Sequence, residues 1–390
     1  MKPQKPPTIG DSQATSTSSV HQPKRVVVKA GSALLTHGGD RLNRQVMASL
    51  TGQLAQLRKR GLEVALVTSG AVAAGRLALG IARENRDLPM RQVMAAVGQG
   101  QLMHAYEQLF SEHGVHVAQA LLTRHDLRER LGYLNVRNTL LKLMELGVIP
   151  IVNENDVVAV DELGGQVFGD NDTLSALVAN LVDADLLVLL GQVEGLYTAD
   201  PNVDATARLV PRVEQVGAEV EAMGGASRDG LGRGGMATKL EAAKVATSSG
   251  TGVVIANGLT PDVLVRLADG EPLGTYFVPV GNKLESRKRW LLSGTSAKGA
   301  AVVDDGAASA LTRRGGSLLP AGIVAVQGVF ERGDVVSIVD KAERRVAAGI
   351  VNYGSKDLDI IKGARSERIG ELLGYDYGDE VVHRNNMAVL

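Results

Sequence analysis

The chain of 390 residues contains no cysteine. That absence excludes disulfides, thiolate catalysis and cysteine-built metal sites, and it is compatible with the expected cytoplasmic location. Long apolar runs are missing too. Leu186 to Leu190 is typical of the longest, far short of the roughly 20 residues that a membrane-spanning helix needs. Charge of one sign is also lacking: 42 Lys plus Arg stand against 43 Asp plus Glu, for a formal charge of -1. No global attraction then draws the chain to nucleic acid or to an anionic membrane, and an anionic ligand must be caught locally. No Gly-Lys dipeptide occurs anywhere, which excludes a P-loop nucleotide site.

What is present describes a soluble globular protein, with 44% hydrophobic and 22% charged residues. The length exceeds a typical single core and points to about two or three domains. Residues 1–23 are rich in Pro, Ser, Thr, Gln and Lys and lack the apolar core of a secretory signal. They read as a disordered tail.

Between residues 24 and 279 apolar strands alternate with helical patterns. The strands fall at Arg25–Val28, Glu63–Val67, Val115–Leu122, Val148–Val152, Asp185–Leu190 and Gly252–Ala256. The helices fall at Arg44–Lys59, Met90–Phe110, Leu134–Leu146, Thr173–Leu181 and Met236–Ser248. This alternation predicts an α/β domain whose mainly parallel sheet is sandwiched by helices. Residues 280–295, with Lys283, Arg287, Lys288 and Arg289 around Trp290, read as an exposed connector. Residues 296–390 carry short strands punctuated by turns, at Ile323–Val326, Asp334–Val339, Arg345–Ile350 and Glu380–His383, and predict a small β-rich domain.

The strongest chemical signal is a pair of acid-and-amide clusters, Val152-Asn153-Glu154-Asn155-Asp156 and Gly169-Asp170-Asn171-Asp172-Thr173. The twelve residues between them read as a hairpin. One cluster ends a buried strand and the other opens a helix, the position at which open α/β sheets bind small molecules. Turn-forming and capping would account for single members, but poorly for so many acids and amides in one strand-to-helix passage.

Two further strand ends carry polar or cationic groups. Lys29 ends the first apolar strand and is followed by Gly31 and Ser32, a combination suited to phosphate, although a lone lysine there would also snorkel to solvent. Thr68-Ser69-Gly70 follows the second strand and precedes a helix start, so Ser69 is either a ligand donor or an N-cap. A glycine-rich stretch, Gly230 to Gly235, opens the helix from Met236. It formally matches G-x-G-x-x-G, but polar residues rather than a strand precede it, so it reads as a phosphate-closing loop with Lys239 one turn into the helix.

The ordered strings VVVKAGS, LVTSGAVAAG, VNEND, GDNDTLSA, EGLYTADP and GRGGMATKL, spread over residues 26–240, resemble the amino acid kinase family. Within it they resemble the branch that phosphorylates the side-chain carboxylate of L-glutamate. Ser317–Gly322, Val351–Ser355 and Val381–Arg384 are similar to a PUA domain. On this resemblance Lys29 and Lys239 stabilise the transferred γ-phosphoryl group, and Asp172 holds the two lysines. Ser69, Gly70, Asp156, Asn171 and Asp170 form the substrate pocket. Lys29, Gly31, Gly191, Gln192, Arg233, Gly234, Gly235, Met236, Ala237, Thr238 and Lys239 face ATP. Gly191-Gln192 and Arg233 depart from many relatives, which have an acid and a threonine there.

The resemblance further implies Mg²⁺ bridging the nucleotide phosphates without a dedicated protein cage. It also implies proline synthesis as the pathway, proline as an inhibitor near Asp156 to Asp170, and a dimer or tetramer. The alternatives are a kinase for acetylglutamate or aspartate, or an RNA-binding role for the PUA-like domain. The 12 Lys plus Arg and 13 Asp plus Glu between Ser296 and Leu390 speak against the latter.

Overall fold

The computed structural model describes residues 23–38, 41–81, 88–158, 171–225, 235–282 and 297–390. The tail, most of the hairpin between the two polar clusters, most of the connector, and Asp170, Arg233 and Gly234 lie outside these residues.

Eight strands form one sheet in the order β3-β4-β2-β1-β5-β7-β8-β6. They are β1 Arg25–Ala30, β2 Glu63–Thr68, β3 Val117–Leu122, β4 Ile149–Glu154, β5 Leu186–Gly191, β6 Arg212–Val213, β7 Gly252–Asn257 and β8 Thr275–Phe277. β1 to β5 and β7 run parallel, and β8 pairs antiparallel to β7. All the parallel strands therefore end on one edge. The crossover from β4 to β5 carries the chain past β1 to its other side, and such a switch opens a crevice at the carboxyl ends of the strands.

Strand periodicity divides the core into two layers. Val26, Val28 and Ala30 of β1 join Leu66 of β2 and Ile149 and Ile151 of β4 in one cluster, packed under α2 (Arg44–Lys59), α4 (Leu88–Ser111) and α10 (Val263–Ala268). Val27, Ala65, Val67 and Val152 face the opposite way, against α6 (Arg130–Glu145), α7 (Asn171–Leu181) and α9 (Met236–Ser248). Two contacts between helices are built on small residues. Ala176 and Ala179 of α7 and Ala242, Ala243 and Ala246 of α9 are fully buried, and such small side chains let two helices approach side by side. α3 (Ala71–Leu79) crosses α4 at two glycines: a Cβ on Gly75 would lie 1.7 Å from the Met94 carbonyl oxygen, and one on Gly98 would lie 1.9 Å from that of Ala71.

The C-terminal part has its own five-stranded sheet, of Ile323–Gly328, Gly299–Val303, Val335–Val339, Arg345–Ile350 and Met387–Val389 in spatial order. The expected strand at Glu380–His383 is corrected. Only an isolated bridge between Val382 and Leu318 forms there, because the chain turns through a short 3₁₀ segment at Arg384–Asn386 before the last strand begins. The part is also less purely β than expected, with helices at Asp305–Arg314 and Ser355–Ile361. It docks on the first sheet's helical layer: Leu134 of α6 is buried in a cluster with Val335, Ile350, Ala348 and Ala388.

Candidate active site

A cavity of about 500 Å³ opens at the carboxyl edge of the sheet. The ends of β1, β2, β4 and β5 and the starts of α7 and α9 contribute Lys29, Ser69, Asn153, Gly191, Asn171 and Lys239 to its wall.

At one end lies a cationic triad. Lys29 continues the face of β1 that carries Val27, so its side chain points at α7 and α9 rather than at solvent. Its Nζ lies 2.5 Å from Asp172 Oδ1, and Lys239 Nζ lies 2.9 Å from Asp172 Oδ2. All three are buried, with relative exposures of 3%, 0% and 6% for Lys29, Asp172 and Lys239. The Thr238 hydroxyl also donates to Asp172 Oδ2, at 2.8 Å. Burial pushes the Asp172 carboxyl up, but the two ammonium groups outweigh burial and hold it at about 2. The Asp172 carboxyl therefore stays ionised between the two lysines. Gly31 and Gly191 leave room for it: a Cβ at Gly31 would lie 3.2 Å from Lys29 Nζ, and one at Gly191 would lie 3.4 Å from Lys239 Cε.

Beside it, from Asn171 onward, lies an amide cluster. Asn171 Nδ2 donates to the Thr68 carbonyl at 2.8 Å, with Ser69 Oγ at 2.8 Å and Asn153 Oδ1 at 3.1 Å as further acceptors. Asn153 in turn donates from Nδ2 to Gln99 Oε1 of α4, at 2.8 Å. Ser69 is not an N-cap, because Gly70, with φ 108°, occupies that position at the start of α3. The left-handed conformation there favours glycine, and a Cβ would lie 3.1 Å from Leu42 Cδ2.

Of the residues singled out from sequence, Lys29, Gly31, Ser69, Gly70, Asp156, Asn171, Gly191, Gln192, Gly235, Met236 and Lys239 line this one cavity. Asp172 lies behind the lysines. Ala237 and Thr238 sit in the first turn of α9 and are absent from the wall, Thr238 turning its hydroxyl to Asp172. Gln192 donates to the Ala33 carbonyl at 2.9 Å and ties the loop after β5 to the short helix Ser32–Leu35. The EGLYTADP segment forms a turn in which Asp200 Oδ1 accepts from the Asn202 amide at 2.9 Å.

Three residues to which the sequence assigned no role belong here. Asn153, the first amide of its cluster, is buried on the wall. Gln99 supports it. Arg91, in the first turn of α4, adds a third cation to the wall. An arginine at a helix start reads as surface in a sequence, and only the fold brings it to this cavity.

One cavity thus brings a buried cationic triad and a cluster of acids and amides together at the carboxyl edge of a parallel sheet. The model of the amino acid kinase family matches residues 24–257, and that of the PUA domain matches residues 299–373. The chain belongs to the amino acid kinase family. It is 52% identical to a glutamate 5-kinase of Dehalococcoides mccartyi, over 94% of this chain and 98% of that protein. A glutamate 5-kinase of Herpetosiphon aurantiacus is 53% identical over 93% of this chain and 98% of its own length. One of Shewanella amazonensis is 50% identical over 96% and 98%. Among solved structures a UMP kinase of Bacillus anthracis matches with a TM-score of 0.46 at 16% identity, covering 67% of this chain and 98% of that one.

Proposed function

We propose that this protein transfers the γ-phosphoryl group of ATP to the side-chain carboxylate of L-glutamate, giving L-glutamyl 5-phosphate and ADP, the first step of proline biosynthesis. The observation that carries this reading is the buried Lys29–Asp172–Lys239 triad at a cavity whose wall also holds Ser69, Asn171 and Asp156. Relatives at about half identity over nearly the whole chain, all bearing that enzyme name, support it.

The chemistry follows from the substrate's charges. A glutamate side-chain carboxylate, with an ordinary pKa of about 4.3, is already ionised at neutral pH, so attack needs no general base. One of its oxygens forms the new bond to the γ-phosphorus as the bond to the oxygen bridging the β- and γ-phosphates breaks, and ADP carries the electron pair away. Two anionic groups must meet for this to happen. Lys29 and Lys239 neutralise them, and Asp172 fixes both lysines before the reaction begins, so little reorganisation remains to be done. The free ammonium of glutamate is met by Asp156 and the Asn171 carbonyl, and the α-carboxylate by the Ser69 hydroxyl and the Arg91 guanidinium.

Asp172 has both oxygens committed to lysines, and among the described residues no group of three or more His, Asp or Glu is placed to hold a metal ion. In this reading Mg²⁺ would enter with the nucleotide rather than in a protein cage, and it would supply further positive charge to the phosphates beside Lys29 and Lys239. Proline, which also carries an ammonium and a carboxylate, competes for the Asp156 and Asn171 end, and simultaneous binding of glutamate and proline would exclude this.

The reading is tested by ATP consumption with glutamate, acetylglutamate or aspartate, the acyl phosphate being trapped with hydroxylamine. Turnover is expected with glutamate, because an acetylated amine offers no ammonium to Asp156. Turnover with either rival and none with glutamate would overturn the assignment.

A further inference from the structure

The amide cluster has no freedom in how its groups face. The Glu154 backbone N–H donates to Asn153 Oδ1 at 2.9 Å, so Asn153 must turn its Nδ2 toward α4. Gln99 meets it there with Oε1, at 2.8 Å. The Thr68 carbonyl can only accept, so Asn171 must turn its Nδ2 toward it, at 2.8 Å. These two backbone groups fix the orientation of all three side-chain amides without appeal to the side chains themselves. Asn153 Oδ1 is the shared member, since Asn171 Nδ2 also points to it at 3.1 Å.

Among the described residues the arrangement leaves two buried atoms without a hydrogen-bond partner, Asn171 Oδ1 and Gln99 Nε2. Buried polar atoms are seldom left so, and each such exception calls for a reason. Asn171 lies on the cavity wall, and its Oδ1 is the acceptor that a substrate ammonium needs. Gln99 is not on the wall. Its amide is turned to serve Asn153 even though its own Nε2 is left unpaired.

We infer that Gln99 is a positioning residue for the acceptor site: it holds Asn153, and through Asn153 it keeps Asn171 presenting a carbonyl oxygen to the ammonium of the bound amino acid. The inference rests on the glutamate reading given above. The backbone around Gln99 is suited to this task, because its neighbour Gly98 sits at the crossing of α3 and α4, against the Ala71 carbonyl that follows Ser69 and Gly70. α4 thus clamps the Ser69 loop with one residue and the amide relay with the next. A site held in this way keeps its groups within the narrow tolerance that recognition demands.

The experiment compares the full-length protein with Gln99→Met, which keeps the length and loses the acceptor, and Gln99→Glu, which keeps a carboxyl oxygen facing Asn153. Thermal unfolding confirms that each variant folds. Loss of one hydrogen bond in the relay should raise the glutamate KM of Gln99→Met by roughly five- to tenfold, with kcat and the ATP KM within about twofold of the unchanged protein. Gln99→Glu should return the glutamate KM to within about twofold. A wild-type glutamate KM in folded Gln99→Met would overturn the inference. So would an equal change in kcat and both KM values, which is the mark of a merely structural role, or a Gln99→Glu variant whose glutamate KM rises as much as the Met variant should show. If Gln99→Met does not fold, the KM of Gln99→Glu decides alone. The unchanged protein separates the two claims: its failure to turn over glutamate would sink the glutamate reading and this inference with it, whereas normal turnover with indifferent Gln99 variants would sink only the inference.

Discussion

Asp172 is where the physical cost of this site is concentrated. A carboxylate with 0% exposure is tolerable only because two ammonium groups and a hydroxyl surround it. Removing its charge in Asp172→Asn leaves Lys29 and Lys239 buried against each other. The variant is expected to lose roughly 3–5 kcal/mol of stability in denaturant titration, the range found when one partner of a buried pair is removed. The same carboxyl predicts a pH dependence. Folding lowers it from 3.8 to about 2, so the ion pairs contribute fully above pH 4 and their contribution is lost as pH falls from about 4 to about 2. Between these values the stability of the unchanged protein should fall more steeply than that of Asp172→Asn, and parallel curves would contradict the assignment.

At the scale of elements, the site depends on two helix contacts that bring sequence-distant residues together. The alanine-lined approach of α7 to α9 places Asp172 beside Lys239, and the glycine crossing of α3 and α4 places Gln99 beside the Ser69 loop. Gly98→Ala forces a methyl into the Ala71 carbonyl, and it is expected to cost about 1–3 kcal/mol in the denaturant midpoint and to raise the glutamate KM. A fully stable Gly98→Ala protein with an unchanged KM would show that the crossing does not position the loop.

This element scale also marks how far the site was legible in the sequence. The parallel strands and long helices were readable from periodicity because each carries a repeated apolar signal, and α2 and α9 match their expected limits residue for residue. β6 and β8, of two and three residues, are too short to carry one. Asn153 was within reach, since Ile149, Ile151 and Asn153 alternate along β4 and so share a face. Gln99 was not, because its meaning depends on which strand face α4 covers. Gly75, within the string LVTSGAVAAG, serves a helix crossing that the sequence alone does not show.

For the whole molecule, the two sheets are joined by more than a connector. Leu134 is fully buried among Val335, Ala348, Ile350 and Ala388, and a Cβ on Gly333 would lie 2.9 Å from Leu131 Cβ. Contacts of this kind couple the unfolding of two units. Leu134→Ala, at roughly 2–5 kcal/mol of lost packing, is expected to split one calorimetric transition into two. An unchanged single transition would show that the units are coupled elsewhere.

The proposed mechanism requires that Lys29 and Lys239 act on the phosphoryl group in transfer rather than merely balance Asp172. It is tested most directly by single-turnover and steady-state rates of Lys239→Ala with glutamate and ATP, in protein shown to be folded. In that variant kcat is expected to fall by about 100-fold or more, with the glutamate KM changed far less. Unchanged turnover in folded Lys239→Ala protein would reduce the lysine to a structural counter-ion and contradict the mechanism.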